Sequence, residues 1–370
     1  MNLDFSDDQK LLQNEARKFL EKEESIKRCR HVLDKSESLD TDLWQKIVEL
    51  GWTGIRIPEE FDGLGLSHLE LCVIAEELGR FLAPVPFSSS VYLFTEAIIK
   101  YGSEDLKKNI LPKLVSGEIV GTLAVTEDFL APISANISTK VSDNKIVGKK
   151  IAVPDGGIAT HSIIVCKSSI GIDLRLIDHS DKSVTISQQE IVDDSRGHYS
   201  IELSGTPSQL VGDENNGWEL YESIINQAAV LFSFEQVGGS QASLDMAVKY
   251  AKERYAFGKP IGSFQGIKHK LADMYVAITL AKSNSYYAAW ALSSESSDLA
   301  VAAATARVSS TKAFQLCSKE NIQTHGGNGF TWEYDCHLFY KRSKLLSLNI
   351  GSLSNWKEKL ISNLEKSNIN

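Results

Sequence analysis

The sequence predicts an α+β protein in three parts: an N-terminal α-helical domain over residues 1–118, a middle β-barrel domain over 119–212 and a C-terminal helical bundle over 213–370. Three observations carry this reading. Apolar residues recur at helical spacing at both ends of the chain. Between those ends lie short β-branched runs bounded by turn residues, HSIIVC, DLRLID and SVTIS. Helices and strands are segregated along the chain, unlike the βαβ alternation of a parallel sheet.

The first helix is expected after Ser6, which with Gln9 forms a capping box ahead of Leu11, Leu12, Phe19 and Leu20. A second covers Asp40 to Leu50. A third follows Ser67 and Glu70, again at capping-box spacing, with Leu71, Ile74, Ala75 and Leu78 on one face. Pro84 and Pro86 then interrupt the helical pattern. Strands fill the stretch from Ile119 to Val211, and Asp143-Asn144 supplies a tight hairpin turn between two of them. The loop GDENNG, Gly212 to Gly217, closes the β region. Helical spacing returns in Tyr221, Ile224, Ile225, Ala228, Leu231 and Phe234 and runs past Gly238-Gly239 to Ala247, Val248 and Ala251. Two more long helices are expected at Phe264 to Leu292 and Leu299 to Ile322.

At 370 residues the chain is long enough for a sizeable core, and 42% hydrophobic with 24% charged residues is ordinary for a globular protein. A net charge of −9 argues against a broad nucleic-acid surface, which draws on clustered Lys and Arg. The five cysteines are scattered, odd in number and without a CxxC pair, so neither a disulfide framework nor a metal site is expected. The acidic start MNLDFSDD is unlike a signal peptide, and no apolar run approaches the roughly 18 residues of a membrane span. A soluble, cytoplasmic protein is the expectation.

One stretch carries a chemical signal. Arg254 near a helix end is followed by Phe257 and by a break at Gly258, Pro260 and Gly262, with Ser263 placed to cap the next helix. A new helix N-terminus offers unpaired N–H groups, and an arginine offers a planar charged fork, so the segment suits an anion. It reads equally as a helix-breaking loop with a surface arginine.

RYAFGKPIGSFQ, from Arg254 to Gln265, resembles the characteristic C-terminal segment of acyl-CoA dehydrogenases, and QTHGGNGF, from Gln323 to Phe330, resembles their second. The resemblance extends over most of the chain and implies their fold, with a C-terminal four-helix bundle. It implies an acyl-CoA substrate, lipid metabolism and FAD as cofactor, gripped by Arg254, Phe257, Gln265, Gln323, Gly326 and Gly327, with Thr126 of the strand ending in AVTE on the ring side. It also implies a dimer or tetramer in which these residues reach the neighbouring subunit's FAD, and an electron-transferring flavoprotein as the usual acceptor. The glycines allow close backbone approach to a ligand. Taken alone, the Gly326-Gly327 pair also reads as a helix C-cap.

The same resemblance exposes departures. After Thr126 and Glu127 the family's small-residue loop is replaced by Asp128, Phe129, Leu130 and Pro132. The family's Trp and Thr beside the flavin become Ala152 and Pro154, and proline has no N–H to give. The family's catalytic glutamate takes the proton α to the thioester carbonyl while hydride leaves the β carbon for the flavin. Its two usual positions fall here on Ile350 and Ala228, with Ala229 in place of a neighbouring arginine. The catalytic base is therefore unassigned. Glu235, two helical turns beyond Ala228 and displaced by roughly 10 Å, is a relocated candidate. Glu333, Asp335 and His337 form a further acid and histidine group that equally suits a helix or domain contact.

The expected function is α,β-dehydrogenation of an acyl-CoA thioester, with this chain as a base-lacking subunit partnered by a catalytic acyl-CoA dehydrogenase. The alternatives are a self-sufficient enzyme with a relocated base, a related flavin oxidase or monooxygenase, and a binding protein without flavin, against which the intact Arg254 to Gln265 segment weighs.

Overall fold

A computed structural model describes residues 5–128 and 131–369. In chain order its helices are α1 (Asp7–Lys22), α2 (Ser25–Asp34), α3 (Thr41–Glu49), α4 (His68–Arg80), α5 (Glu96–Tyr101), α6 (Glu104–Val115), α7 (Gly217–Glu253), α8 (Gln265–Ser293), α9 (Leu299–His325), α10 (Cys336–Leu346) and α11 (Leu353–Ile369). A π-helical stretch, Ser88–Thr95, precedes α5. The strands are β1 (Gly121–Ala124), β2 (Lys140–Ser142), β3 (Lys145–Pro154), β4 (His161–Lys167), β5 (Ile172–Asp178), β6 (Val184–Gln189), β7 (His198–Pro207) and β8 (Gln209–Val211), then the short pair β9 (Tyr255–Ala256) and β10 (Lys259–Pro260). The α+β class expected from the segregated patterns is present.

Local signals acted where the sequence placed them. Ser6 and Gln9 make both bonds of the capping box on α1, and Asp40 caps α3 through the Leu43 N–H. Asp143 and Asn144 both take positive φ, 50° and 58°, and set the register Ser142 opposite Lys145 in the β2–β3 hairpin.

The chain forms two compact units. One comprises His31–Ser67 and Pro84–Ala228 and holds the sheet. Its strand order is β6-β7-β3-β2-β4-β5-β8, with β1 paired in parallel to β4. Ala124, Val141, Ile146, Val153, Ile164, Cys166, Ile177, Ile201 and Leu203 form its apolar core. The other comprises Met1–Arg30, His68–Ala83 and Ala229–Asn370. There α7, α8 and α9 share a core of Leu244, Ala247, Met274, Ile278 and Cys317, and α10 and α11 pack on α9.

The Gly238-Gly239 pair does not break α7. A Cβ on Gly238 would stand 1.8 Å from the Glu76 carbonyl oxygen, and one on Gly79 would stand 1.9 Å from that of Glu235. Helices α4 and α7 therefore cross with their backbones touching, each supplying the glycine that admits the other. Gly239 faces the Phe314 ring of α9, 2.4 Å from a built Cβ. No helix among the described residues is long and apolar enough to cross a membrane. All five cysteines are buried free thiols.

Candidate functional site

In the helical unit, α7 ends at Glu253 and the chain turns back through the β9–β10 pair, with Ala256 opposite Lys259. Phe257 and Gly258, at φ 52° and 80°, make this two-residue turn, and the Phe257 side chain is 94% exposed. The Ile261 N–H donates to the Arg254 carbonyl at 2.8 Å, tying the turn to the helix end. The Arg254 side chain is exposed and has no ion-pair or hydrogen-bond partner among the described residues. Phe264 meets Phe257 edge to face at 6.2 Å and receives the Lys259 ammonium at 4.4 Å on its ring.

Ser263 does not cap α8. Its hydroxyl donates to the Pro260 carbonyl at 2.7 Å, and the N-cap position belongs to Phe264, whose side chain has nothing to offer the helix. The tight Pro260 turn draws the serine backwards. The Ile267 and Lys268 N–H groups donate to the Phe264 carbonyl, which leaves those of Gln265 and Gly266 for an external acceptor at the start of this 29-residue helix, and a Cβ on Gly266 would meet nothing within 4 Å. Gln265 opens that helix and is exposed.

The second segment begins where α9 stops. Gly326, at φ 59°, is the C-cap, and its N–H donates to the Gln323 carbonyl. Gly326 and Gly327 have open space where a Cβ would stand, whereas Gly329 lies against the Ile322 carbonyl, 2.5 Å from a built Cβ. Gln323 is exposed and Phe330 is 84% exposed.

The two segments are joined by residues that sequence reasoning missed. Tyr250, one helical turn before Arg254, stacks on His325 with centroids 4.1 Å apart and planes at 27°. The Asn328 amide donates to the Tyr250 hydroxyl at 3.0 Å, and Tyr334 packs edge-on against both rings. Burial holds the His325 imidazole below its ordinary pKa, against the hydrogen bond of its Nδ1 with the Asn321 carbonyl. The only trace of this link in the sequence is an aromatic residue four positions before the arginine, a spacing too common to single out.

An unpaired arginine, a helix start with open N–H groups, two glycines with room beside them and two exposed aromatic rings are the features a phosphate-bearing aromatic ligand needs. They fit FAD. No group of three or more His, Cys, Asp or Glu side chains among the described residues could hold a metal ion.

In the sheet unit, Thr126 follows β1 and its carbonyl accepts the Ile151 N–H at 2.8 Å. Glu127 beside it is fully engaged: it accepts from the Lys150 ammonium at 2.7 Å, from both the N–H and the hydroxyl of Ser138 at 2.6 Å and from the Thr139 N–H at 2.9 Å. Burial would raise its carboxyl, but the bonds from Lys150 and Ser138, the Lys150 charge and the Thr139 bond outweigh it and bring the pKa down to about 2. Lys150 itself is buried, which lowers its pKa, with Glu127 opposing. The pair is a fixed strut, and its carboxylate has no proton to exchange near neutrality. Asp128 is exposed; Phe129 and Leu130 lie outside the described residues.

Strand β3 bulges between Lys150 and Val153, and Ala152 takes φ 51° with its N–H on the Gln189 side-chain oxygen at 2.7 Å. Pro154 accepts the Thr122 hydroxyl at 2.6 Å. Behind it the buried Asp155 carboxylate takes the Arg196 guanidinium at 3.0 Å and the Ser89 hydroxyl at 2.5 Å, and Arg196 also reaches the Ser88 hydroxyl at 2.7 Å. This network was not anticipated, because its members lie far apart in sequence.

Neither usual base position holds an acid. Ala228 and Ala229 are fully buried, and Ile350 is held at φ 55°, a left-handed conformation strained for a β-branched side chain. The turn around it is braced: Arg307 donates to the Asn349 carbonyl at 2.9 Å and to that of Leu346, and the Trp356 indole donates to the Ile350 carbonyl at 3.1 Å. Arg307 also holds the Gln236 amide oxygen at 2.8 Å, and burial brings its pKa down to about 9 with Glu235 opposing. Glu235 is buried, and its backbone forms the α4 crossing. Asp335 is ion-paired with Arg30, and His337 stacks on Trp332 at 4.4 Å.

Comparison with known proteins follows the same division. The family profile described as the acyl-CoA dehydrogenase C-terminal domain matches residues 215–353, and the corresponding N-terminal domain profile matches residues 6–118. The chain is similar to acyl-CoA dehydrogenase IpdE2 of Mycolicibacterium smegmatis, with 29% identity over 339 residues, covering 91% of this chain and 93% of that protein. Among solved structures it is similar to butyryl-CoA dehydrogenase from Megasphaera elsdenii, with a TM-score of 0.92 and 23% identity, covering 98% of this chain and 100% of that one. It is also similar to a chain of the ChsE4-ChsE5 complex from Mycobacterium tuberculosis, with a TM-score of 0.90 and 21% identity over 99% of both chains. At these identities the structural likenesses speak to the fold.

Proposed function

The chain belongs to the acyl-CoA dehydrogenase family, and from that premise we propose that it works as the base-lacking subunit of a heteromeric acyl-CoA dehydrogenase. It is an FAD flavoprotein of the oxidoreductases that act on CH–CH groups. Bound FAD supplies the acceptor for the hydride that leaves the substrate.

The observation that carries the proposal is a contrast within one chain. The cradle from Arg254 to Gln265 and from Gln323 to Phe330 is kept with its arginine unpaired and its glycines open. Both base positions carry side chains that cannot take a proton, Ala228 and Ile350. Removal of the proton α to a thioester requires a carboxylate in hydrogen-bonding reach, so that step falls to a partner chain. Arg254 and the Gln265 and Gly266 N–H groups would hold the cofactor's pyrophosphate, Gly326 and Gly327 would let the backbone approach its adenosine, and Phe257 and Gln265 would flank it. Thr126 would contact the ring end of the cofactor. Glu127, saturated by four bonds, positions the Thr126 segment and exchanges no proton.

The partner is a second chain of this fold that carries the glutamate, giving a heterodimer or a dimer of such dimers. The similarity to a chain of the ChsE4-ChsE5 complex supports that arrangement. An electron-transferring flavoprotein is the proposed acceptor. Co-expression with neighbouring homologues, followed by size-exclusion chromatography and flavin absorbance, tests the reading. Arg254→Ala should lower FAD content of the assembly several-fold and leave the subunits associated. Full flavin occupancy in that variant would remove Arg254 from the cofactor grip.

A further inference from the structure

The turn from Gly326 to Phe330 is anchored on its other side by α2, a helix that contributes nothing to the site as described. Arg30 donates one guanidinium nitrogen to the Asp335 carboxylate and another to the Trp332 carbonyl. Its guanidinium lies over the Trp332 ring, 5.3 Å from the centroid, and the His337 imidazole stacks on that ring at 4.4 Å and 29°. Asp335 occupies the N-cap position of α10, where a carboxylate ordinarily bonds the helix's own N–H groups, yet it makes no such bond. It gives up the cap to hold Arg30. A Cβ on Gly326 or Gly327 would meet nothing within 4 Å, so no neighbouring group packs on the turn where those side chains would stand.

We propose that Arg30 is a positioning residue for the Gly326–Phe330 turn, and that the Arg30, Trp332 and His337 stack is a proton-sensitive clasp that loosens the turn on acidification. Both His337 ring nitrogens are shut off from solvent. Burial holds the imidazole below its ordinary pKa; Arg30 and Lys341 act the same way, while the Tyr334 backbone and Asp335 oppose them. The Arg30 charge acts on the imidazole from α2 and the Lys341 charge from α10, and Tyr334 and Asp335 act from the connecting turn. A neutral ring can lie beside the guanidinium's tryptophan platform, whereas a protonated one brings a second cation against it. Because the clasped form disfavours the proton, the clasp is complete above the ordinary histidine pKa of about 6.5 and weakens as pH falls below it. The consequence for FAD rests on the reading that this turn receives the cofactor.

Hydrogen exchange of the full chain tests the clasp without cofactor, after correction for the intrinsic pH dependence of exchange. Arg30→Met keeps the aliphatic stem but removes both guanidinium hydrogen bonds, and it should raise exchange of residues 326–335 by about tenfold or more, with α8 unchanged. Asp335→Asn, a milder change, should raise it less. In the wild type the same residues should exchange faster at about pH 5.5 than at neutrality, and His337→Phe, which keeps the stack but cannot bind a proton, should abolish that difference. Unchanged exchange in both Arg30→Met and Asp335→Asn overturns the clasp. A pH difference that survives in His337→Phe overturns its proton sensitivity. In the FAD-loaded assembly, flavin release should be faster for Arg30→Met; equal release rates beside a loosened turn would overturn the link to the cofactor while leaving the clasp standing.

Discussion

Tyr250 and His325 stack at 4.1 Å, and that contact fixes the end of α7 against the end of α9. Arg254 stands one turn after the first residue and Gly326 immediately after the second. The spacing between the arginine and the glycine pair is thereby set by one aromatic contact, supported by Asn328 on the tyrosine hydroxyl. Tyr250→Ala should cost about 1 kcal/mol of stability and weaken FAD retention, whereas Tyr250→Phe should keep most of both. Urea unfolding with flavin absorbance separates the two effects, and equal flavin retention in the alanine variant would detach the stack from the site.

The glycines divide by what surrounds them. Gly238→Ala places a methyl group within 1.8 Å of the Glu76 carbonyl oxygen and should destabilise the helical unit by about 3 kcal/mol or prevent its folding. Gly327→Val adds a side chain to open space, so its stability should change by less than about 0.5 kcal/mol while FAD binding falls. Thermal melts and flavin content of the two variants give opposite patterns if the cradle is assigned correctly.

Ile350 tests the strained turn that follows α10. Relieving the left-handed strain with Ile350→Gly should raise stability by about 1 kcal/mol, provided the turn keeps its bonds to Arg307 and Trp356. A stability decrease would mean that the isoleucine side chain makes packing contacts worth more than the strain.

The sheet unit should be sensitive to acid. Glu127 is held down to about pKa 2, so its contribution is present above the ordinary carboxylate pKa and is lost as pH falls from about 4.5 towards 2. His179, which burial brings down to about 4, acts earlier: its contribution is complete above about 6.5 and fades as pH falls to 4. Lys150→Met strands the Glu127 carboxylate and should cost about 3 kcal/mol at neutral pH, with a smaller penalty in acid. An unchanged acid limb in that variant would contradict the assignment.

Local chemistry was legible in the sequence wherever it acts over a few residues. The Ser6 box, the Asp40 cap, the Asp143-Asn144 turn and the strands from HSIIVC to SVTIS appear where their patterns put them. Ser263 is expected to cap the next helix, but a competing acceptor three residues back, the Pro260 carbonyl, takes its hydroxyl, and Asp335, read as suiting a helix or domain contact, pairs with the distant Arg30. The Gly238-Gly239 pair lies inside the helix that the apolar spacing predicts, and its use shows only when a second helix is packed on it. Two segments sufficed to propose the cradle, because the residues of each are close in sequence. The parts that hold them, Tyr250 with His325 and Arg30 with Asp335, are separated by 75 and 305 residues and carried no pattern.

The central claim is that this chain keeps a cofactor cradle and lacks the proton acceptor. The most direct measurement is anaerobic titration with acyl-CoA thioesters, following bleaching of the flavin absorbance, for the chain alone and for its assembly with a glutamate-bearing homologue. The assembly should bleach and the chain alone should not, even when loaded with FAD. Stoichiometric bleaching by the FAD-loaded chain alone would contradict the claim and place a base elsewhere within it.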